Sequence, residues 1–216
     1  MSAQIPFDLA PNAAQIFDNF IPSACNNNAL VLVRQWRDWP SPIVLIHGPE
    51  GCGKTHLGRA WAVDVGGQSF DAVTDVSLAD MPDGPLFLDN ANTADEAALF
   101  ALLNSALNGE RTALLLAQRP PVSQNLPSLP DLRSRLLATP DVAIEEPDDG
   151  LLEDIVRGLF IGLGRDVKRD VVIYLIARSE RTVSALRDVV TELDARARSE
   201  KADLTRSFAA KHLPQL

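Results

Sequence analysis

Ile43-Val44-Leu45-Ile46-His47-Gly48-Pro49-Glu50-Gly51-Cys52-Gly53-Lys54-Thr55-His56 is the stretch on which the fold turns. A short β-branched, apolar run feeds a turn spelled Gly48-x-x-x-x-Gly53-Lys54-Thr55, and a helical pattern from Leu57 to Val65 follows. Strand, glycine loop and helix in that order are the setting in which this spelling forms a phosphate-binding loop. Glycines let the backbone turn tightly round an anion, so that successive N–H groups and the helix N-terminus face phosphate oxygens. In such a loop Lys54 reaches the β- and γ-phosphates and the Thr55 hydroxyl ligates magnesium. Gly48 to His56, with Pro49, Glu50, Gly51 and Cys52 between them, is therefore the candidate site for ADP or ATP with Mg²⁺.

The next decisive run is Gly84-Pro85-Leu86-Phe87-Leu88-Asp89-Asn90, an apolar strand ending in an acid. Ligands of open parallel sheets sit at the C-terminal strand edge, so Asp89 can hold the magnesium hydration shell opposite Thr55. An ATPase of this kind places a second acid after the first, to polarise the attacking water. Here Asn90 follows, and an amide cannot take that proton, so intrinsic hydrolysis is expected to be slow. Thr112 to Ala117 reads as a further buried strand, with Gln118-Arg119-Pro120-Pro121 after it. Gln118 is expected near the phosphates, where it either orients water or satisfies a backbone group.

On the N-terminal side, Asn28 is the expected N-cap of a helix running from Ala29 to Trp39, closed by Pro40 and Pro42. Trp36 and Trp39 read as packing residues. Gln68 to Val73 is a weak strand candidate, residues 94 to 108 a helix ending at Gly109, and Val142 to Ile144 a last short strand. The Asp131-Leu132-Arg133-Ser134-Arg135 segment carries two arginines two residues apart, so on a helix they point in different directions. From Asp148 the period is helical throughout, over 151–162, 170–178, 182–197 and 204–212, with Leu151, Ile155, Leu159 and Leu163 as a core stripe. The expected division is a peptide over 1–12, an α/β base over 13–147 and a helical appendage over 148–216, with Glu146-Pro147-Asp148-Asp149-Gly150 as the boundary. Ahead of the base, Gln4-Ile5-Pro6-Phe7-Asp8-Leu9 is held extended by its prolines. Its spaced apolar residues either dock on a partner or tuck against the domain.

Composition narrows the function. A chain of 216 residues with 46% apolar and 23% charged residues can bury a sizeable core. A formal net charge of -9 argues against broad electrostatic binding to nucleic acid. The two cysteines, Cys25 and Cys52, form no disulfide framework and fit a reducing cytoplasm. No apolar stretch is long enough to span a bilayer, and no signal peptide is expected.

Taken together, these residues resemble the AAA+ module of the bacterial replication initiator family DnaA, and within it the shortened Hda regulators. The resemblance rests on Phe17-Asp18-Asn19-Phe20, Gly48 to Leu57, Asp89-Asn90, Gln118-Arg119-Pro120-Pro121 and Leu129-Pro130-Asp131-Leu132-Arg133-Ser134-Arg135-Leu136. It implies an AAA+ P-loop base with a parallel sheet of about five strands and a small all-helical C-terminal lid. The given chain stops at Leu216, where DnaA continues into a duplex-binding domain. Gln4, Ile5, Phe7 and Leu9 stand where Hda proteins carry a peptide for the sliding clamp, the beta subunit of DNA polymerase III. Arg135 falls on the arginine finger of the Ser-Arg-Leu motif, which in the family reaches the γ-phosphate of ATP held by DnaA. Ser184 stands where many relatives have a nucleotide-sensing lid arginine, with Arg181 and Arg187 nearby. The implied role is a negative regulator of replication initiation that stimulates ATP hydrolysis by DnaA and touches DNA only through the clamp. Self-association into a homodimer is left open. The rival readings are an active loader-type ATPase and a DnaA-binding scaffold that triggers no hydrolysis.

Overall fold

The computed structural model describes residues 15–74, 81 and 83–213. The sequence-predicted partner peptide from Gln4 to Leu9 lies outside them. The chain forms two compact units, one ending at Glu146 and one beginning at Pro147.

The first unit is built on five parallel strands: β1 (Ile43–His47), β2 (Gln68–Asp71), β3 (Leu86–Asp89), β4 (Leu114–Gln118) and β5 (Asp141–Ala143), ordered β2-β3-β4-β1-β5. Parallel strands need crossovers, and the described residues of this unit include four α-helices: α1 (Asn27–Arg34), α2 (Lys54–Asp64), α3 (Glu96–Leu107) and α4 (Pro130–Ala138). Because both sheet faces are covered, the strands read as continuous apolar runs instead of alternating ones. The alternation survives in what each residue touches. Val44, Ile46, Phe87, Leu115 and Ala117 pack in one core with Leu30, Val33, Leu57 and Trp61 of α1 and α2. Ile43, Leu45, Leu86, Leu88, Leu114 and Leu116 pack in the other with Leu99, Leu103, Leu132 and Leu136 of α3 and α4.

Helix α1 differs from the sequence expectation at both ends. It starts at Asn27, with Asn26 at the N-cap, and stops at Arg34. Asn26, not Asn28, takes the cap because its side chain ties the preceding turn: Oδ1 accepts from Ser23 N at 2.9 Å and Nδ2 donates to Ile21 O at 3.0 Å. After Arg34 the chain tightens into a 3₁₀ turn over Trp36–Asp38. There Trp39 stacks on Trp61 at 5.5 Å and donates Nε1 to Leu32 O at 2.8 Å, while Trp36 meets Trp61 edge-on. Both outer tryptophans are thus packing residues.

The second unit contains α5 (Asp149–Gly162), α6 (Arg169–Ile176), α7 (Val183–Glu200) and α8 (Arg206–His212), whose ends fall within three residues of the expected ones. Three of them start on a side-chain cap, in which Asp148, Thr182 and Thr205 accept from Leu151 N, Ala185 N and Phe208 N. Leu152, Val156, Leu159, Phe160, Val172, Leu175, Leu186 and Leu193 are all fully buried. One carboxylate, Asp194, is buried with them. It is satisfied by Arg165 Nε and Arg198 Nε, each at 2.7 Å. Among the described residues no helix is long and apolar enough to cross a membrane.

Candidate functional site

The site forms where β1 ends and α2 begins. Gly53 caps α2 in the left-handed region, φ 105°, and the helix starts at Lys54, three residues before the periodic pattern predicts. Leu57 N is the first amide to bond back into the helix, to Gly53 O at 2.9 Å. The N–H groups of Lys54, Thr55 and His56 therefore have no partner further back in the helix and lie at its positive end. Gly48 has a different reason to be glycine, since a Cβ there would stand 2.1 Å from Ile144 O on the chain leaving β5.

Lys54 is buried, with 8% of its surface exposed, and its Nζ donates to Gly48 O at 2.8 Å and Pro49 O at 2.6 Å. A buried ammonium held by two neutral carbonyls and a thiol, beside the N–H groups that open α2, is a donor set that suits a polyphosphate. Cys52 lies under the same loop, with its Sγ 3.6 Å from Lys54 Nζ. Burial pushes its thiol up, and the Lys54 ammonium only partly offsets this, so the thiol stays protonated and unreactive. Glu50, at the loop tip, pairs with Arg119 at 2.7 Å, both side chains largely exposed. Phe20 packs beneath the loop, meeting the His56 ring edge-on at 5.4 Å.

Strand parity brings the rest of the site together. Asp89 has the parity of Phe87, so it emerges on the α2 face, where it accepts from Thr55 Oγ1 at 2.5 Å. A hydroxyl and a carboxylate at that spacing are hard oxygen donors of the kind magnesium takes alongside phosphate, so Thr55 and Asp89 fit the expected ion. Asn90 follows in the left-handed region, φ 52°, with its N donating to Asp89 Oδ1 and its Nδ2 to Asp71 Oδ1, both at 3.0 Å. Gln118 has the parity of Leu114 and Leu116, so it emerges on the opposite, α3 and α4, side. There it lines a small cleft with Leu99, Leu132 and Leu136, and its Nε2 donates to Pro120 O at 2.7 Å. Of the two roles open to Gln118, the one seen is satisfaction of a backbone group.

Arg133 and Arg135 diverge on α4, as two residues at that spacing must. Arg133 donates Nε and Nη2 to Pro127 O, whereas the Arg135 guanidinium lies 4.8 Å from the Phe100 ring centre on α3. Among the described residues Arg135 has no ion pair, with Asp131 or any other acid, and no side-chain hydrogen bond. In the second unit, Arg181 is committed to Asp149 at 2.7 Å and Pro147 O at 3.1 Å, and Ser184 shares a hydroxyl contact with Thr182.

Sequence reasoning missed Glu96. Its carboxylate accepts from Ser128 N, Ser128 Oγ and Leu129 N, at 2.7 to 2.8 Å, and so fastens the start of α4 to the start of α3. The Ser128 hydroxyl, then the two backbone amides, hold this carboxyl below its ordinary value. For an acid with a lowered folded pKa, the stabilisation is full above the unfolded value and is lost as pH falls through the folded one. Glu96→Gln should therefore flatten the acid limb of the melting-temperature profile below about pH 4.5, measured by circular dichroism from pH 7 to pH 2. Near neutral pH the same variant should loosen residues 125–129, read as faster amide exchange.

By sequence, the chain matches no family model and no curated protein. By structure it is similar to domain III of the Thermotoga maritima replication initiation protein DnaA, with a TM-score of 0.76 at 16% identity, over 92% of this chain and 95% of that one. AMPPCP-bound DnaA from Aquifex aeolicus aligns with a TM-score of 0.69 at 19% identity, over 86% and 68% of the two chains. The Thermotoga maritima RuvB Holliday junction branch migration motor aligns with a TM-score of 0.71 at 19% identity, over 91% and 70%. The five-stranded parallel sheet with its flanking helices is thus the AAA+ fold shared by DnaA and RuvB.

Proposed function

We propose that this chain is a nucleotide-binding regulator of replication initiation: it holds ADP or ATP with Mg²⁺ and presents Arg135 to ATP bound by DnaA. Docking on the DNA-loaded sliding clamp through Gln4, Ile5, Phe7 and Leu9 brings it to its target, and hydrolysis at DnaA's site switches the initiator off. One observation carries the reading. The set that would hold a nucleotide is complete from Lys54 through Thr55 to Asp89, and at the position of the water-activating acid it has Asn90, tied to Asp71. The bound nucleotide supplies a phosphate anion for the loop and, with magnesium, an electrophilic γ-phosphorus. Lys54 and the N–H groups of the first α2 turn bind and orient it, while Thr55 and Asp89 hold the ion. An Asn in the acid's place makes the site a holder more than a motor. A cation without an acidic partner, on a neighbouring helix, is free to act on another molecule's phosphate.

The purified chain should therefore bind ADP and ATP yet turn over ATP far below ~1 s⁻¹, the low end of ordinary enzyme rates. Phosphate release measured on the isolated protein checks this. Magnesium-dependent turnover at or above that rate, lost in Lys54→Ala, would make it a loader-type ATPase instead.

A further inference from the structure

Charge is unevenly spread along this chain. Residues 147–216 hold twelve Lys and Arg against twelve Asp and Glu, so the net charge of -9 belongs to residues 1–146 and the helical unit does not repel an anion. Within that unit Arg157, Ile161, Arg165, Asp166 and Val167 line a cavity of about 420 Å³, formed by the end of α5 and the loop that follows it. Arg157 Nε is buried there and has no hydrogen-bond partner among the described residues. A buried guanidinium N–H left unmade is costly, so a fold normally supplies it with an acid. Here the neighbouring acids are committed elsewhere. Glu153, one helical turn before Arg157, gives both oxygens to Arg169, accepting from Nε at 2.8 Å and from Nη2 at 3.0 Å. Arg165 donates Nε to Asp194 Oδ1, and Arg198 takes the other oxygen of Asp194, each at 2.7 Å, which leaves the Arg165 Nη groups for another acceptor. Asp166 is exposed to water. The last α5 carbonyls, which would oppose an anion, are also taken: Phe160 O accepts from Arg165 N and Ile161 O from Gly164 N, both at 2.9 Å.

We infer that this cavity is a phosphate site, in which Arg157 and Arg165 bind a phosphate group, either free or carried on a small molecule. A guanidinium offers a planar fork of donors that meets an oxyanion through two parallel N–H···O bonds. Two such forks on one cavity exceed the two oxygens of a carboxylate, whereas a phosphate monoester presents three oxygens and close to two negative charges. Ile161 and Val167, both half-buried, add an apolar wall against which a group attached to the phosphate can pack. The site shares no residue with the Lys54, Thr55 and Asp89 set and stands whether or not that set holds a nucleotide.

Amide spectra of the ¹⁵N-labelled full chain in phosphate-free buffer test this, because they report where a ligand binds. Titration with inorganic phosphate or with phenyl phosphate should shift the amides of residues 157–167 and saturate with a Kd of about 1 mM or tighter. Tighter binding of phenyl phosphate marks a phosphomonoester as the ligand, and tighter binding of inorganic phosphate marks the free ion. Arg157→Ala should weaken the tighter of the two by about tenfold or more, with the amides of residues 48–56 unchanged. Arg157→Lys should lose a similar factor, since an ammonium keeps the charge but not the fork, and it decides the matter should the alanine variant fail to fold. The inference is overturned if the shifts are confined to residues 48–56, if the folded Arg157 variants bind as the wild type does, or if phenylacetate, a carboxylate of similar size, binds as tightly as phenyl phosphate.

Discussion

Arg135→Ala should abolish stimulated hydrolysis of DnaA-bound ATP, lowering it by about 10³-fold, while the variant still folds and still binds ADP. Two features of α4 support so selective an effect. Arg135 is in the last helical turn, between the buried Leu132 and Leu136, so its backbone is fixed by core packing that the substitution leaves alone. Its guanidinium rests on Phe100 alone, and a half-exposed cation–π contact contributes only about 0.5–1 kcal/mol. Lifting it onto a phosphate costs little, whereas a cation facing developing negative charge in a water-poor interface acts through charge-assisted bonds that are far stronger. Lysine should not restore the activity, since an ammonium lacks the planar fork of donors. Phosphate release from ATP-loaded DnaA, with the clamp loaded on DNA, measures both variants. A melting-temperature drop of more than a few degrees would mean that Arg135 stabilises its own fold more than the Phe100 contact allows.

Lys54→Ala should weaken ADP and ATP binding about a hundredfold by calorimetry. The ammonium is nearly buried and is bonded to Gly48 O and Pro49 O, so it already sits inside the loop that would enclose the phosphates. Its loss removes the loop's fixed cation, and the remaining N–H groups of the first α2 turn give only residual attraction. Pro49 is exposed and Gly48 buried, so water can replace the ammonium at the Pro49 carbonyl, and a melting scan beside the calorimetry shows that the variant is folded. That separates a lost ligand contact from unfolding.

What could be read from the chain follows from how local each feature is. The β1 run, the glycine loop and α2 are contiguous, and their chemistry is spelled in neighbouring residues, so residues 43 to 56 give the strand, loop and helix of the candidate phosphate site without a partner. Asp89 was legible for the same reason, as an acid closing an apolar strand. The start of α1 was not, because three successive asparagines offer equal caps and the choice of Asn26 depends on its tie to Ser23 and Ile21. Gln118 illustrates a second limit. Placing it at a strand end suggests the phosphates, but its parity with Leu114 and Leu116 sends it to the opposite face of the sheet. Asp71 and Glu96 show a third. Their roles depend on register across β2 and β3, or on a contact 32 residues away, and no periodicity records either.

The central claim is a division of labour, in which this chain contributes a cation and DnaA contributes the triphosphate that is cleaved. Its most direct measurement is the decay of DnaA-bound ATP with and without this protein, each in the presence and absence of sliding clamp loaded on DNA. The account predicts rapid conversion to ADP only when protein and loaded clamp are both present. ATP on DnaA that survives unchanged in the complete mixture would contradict it.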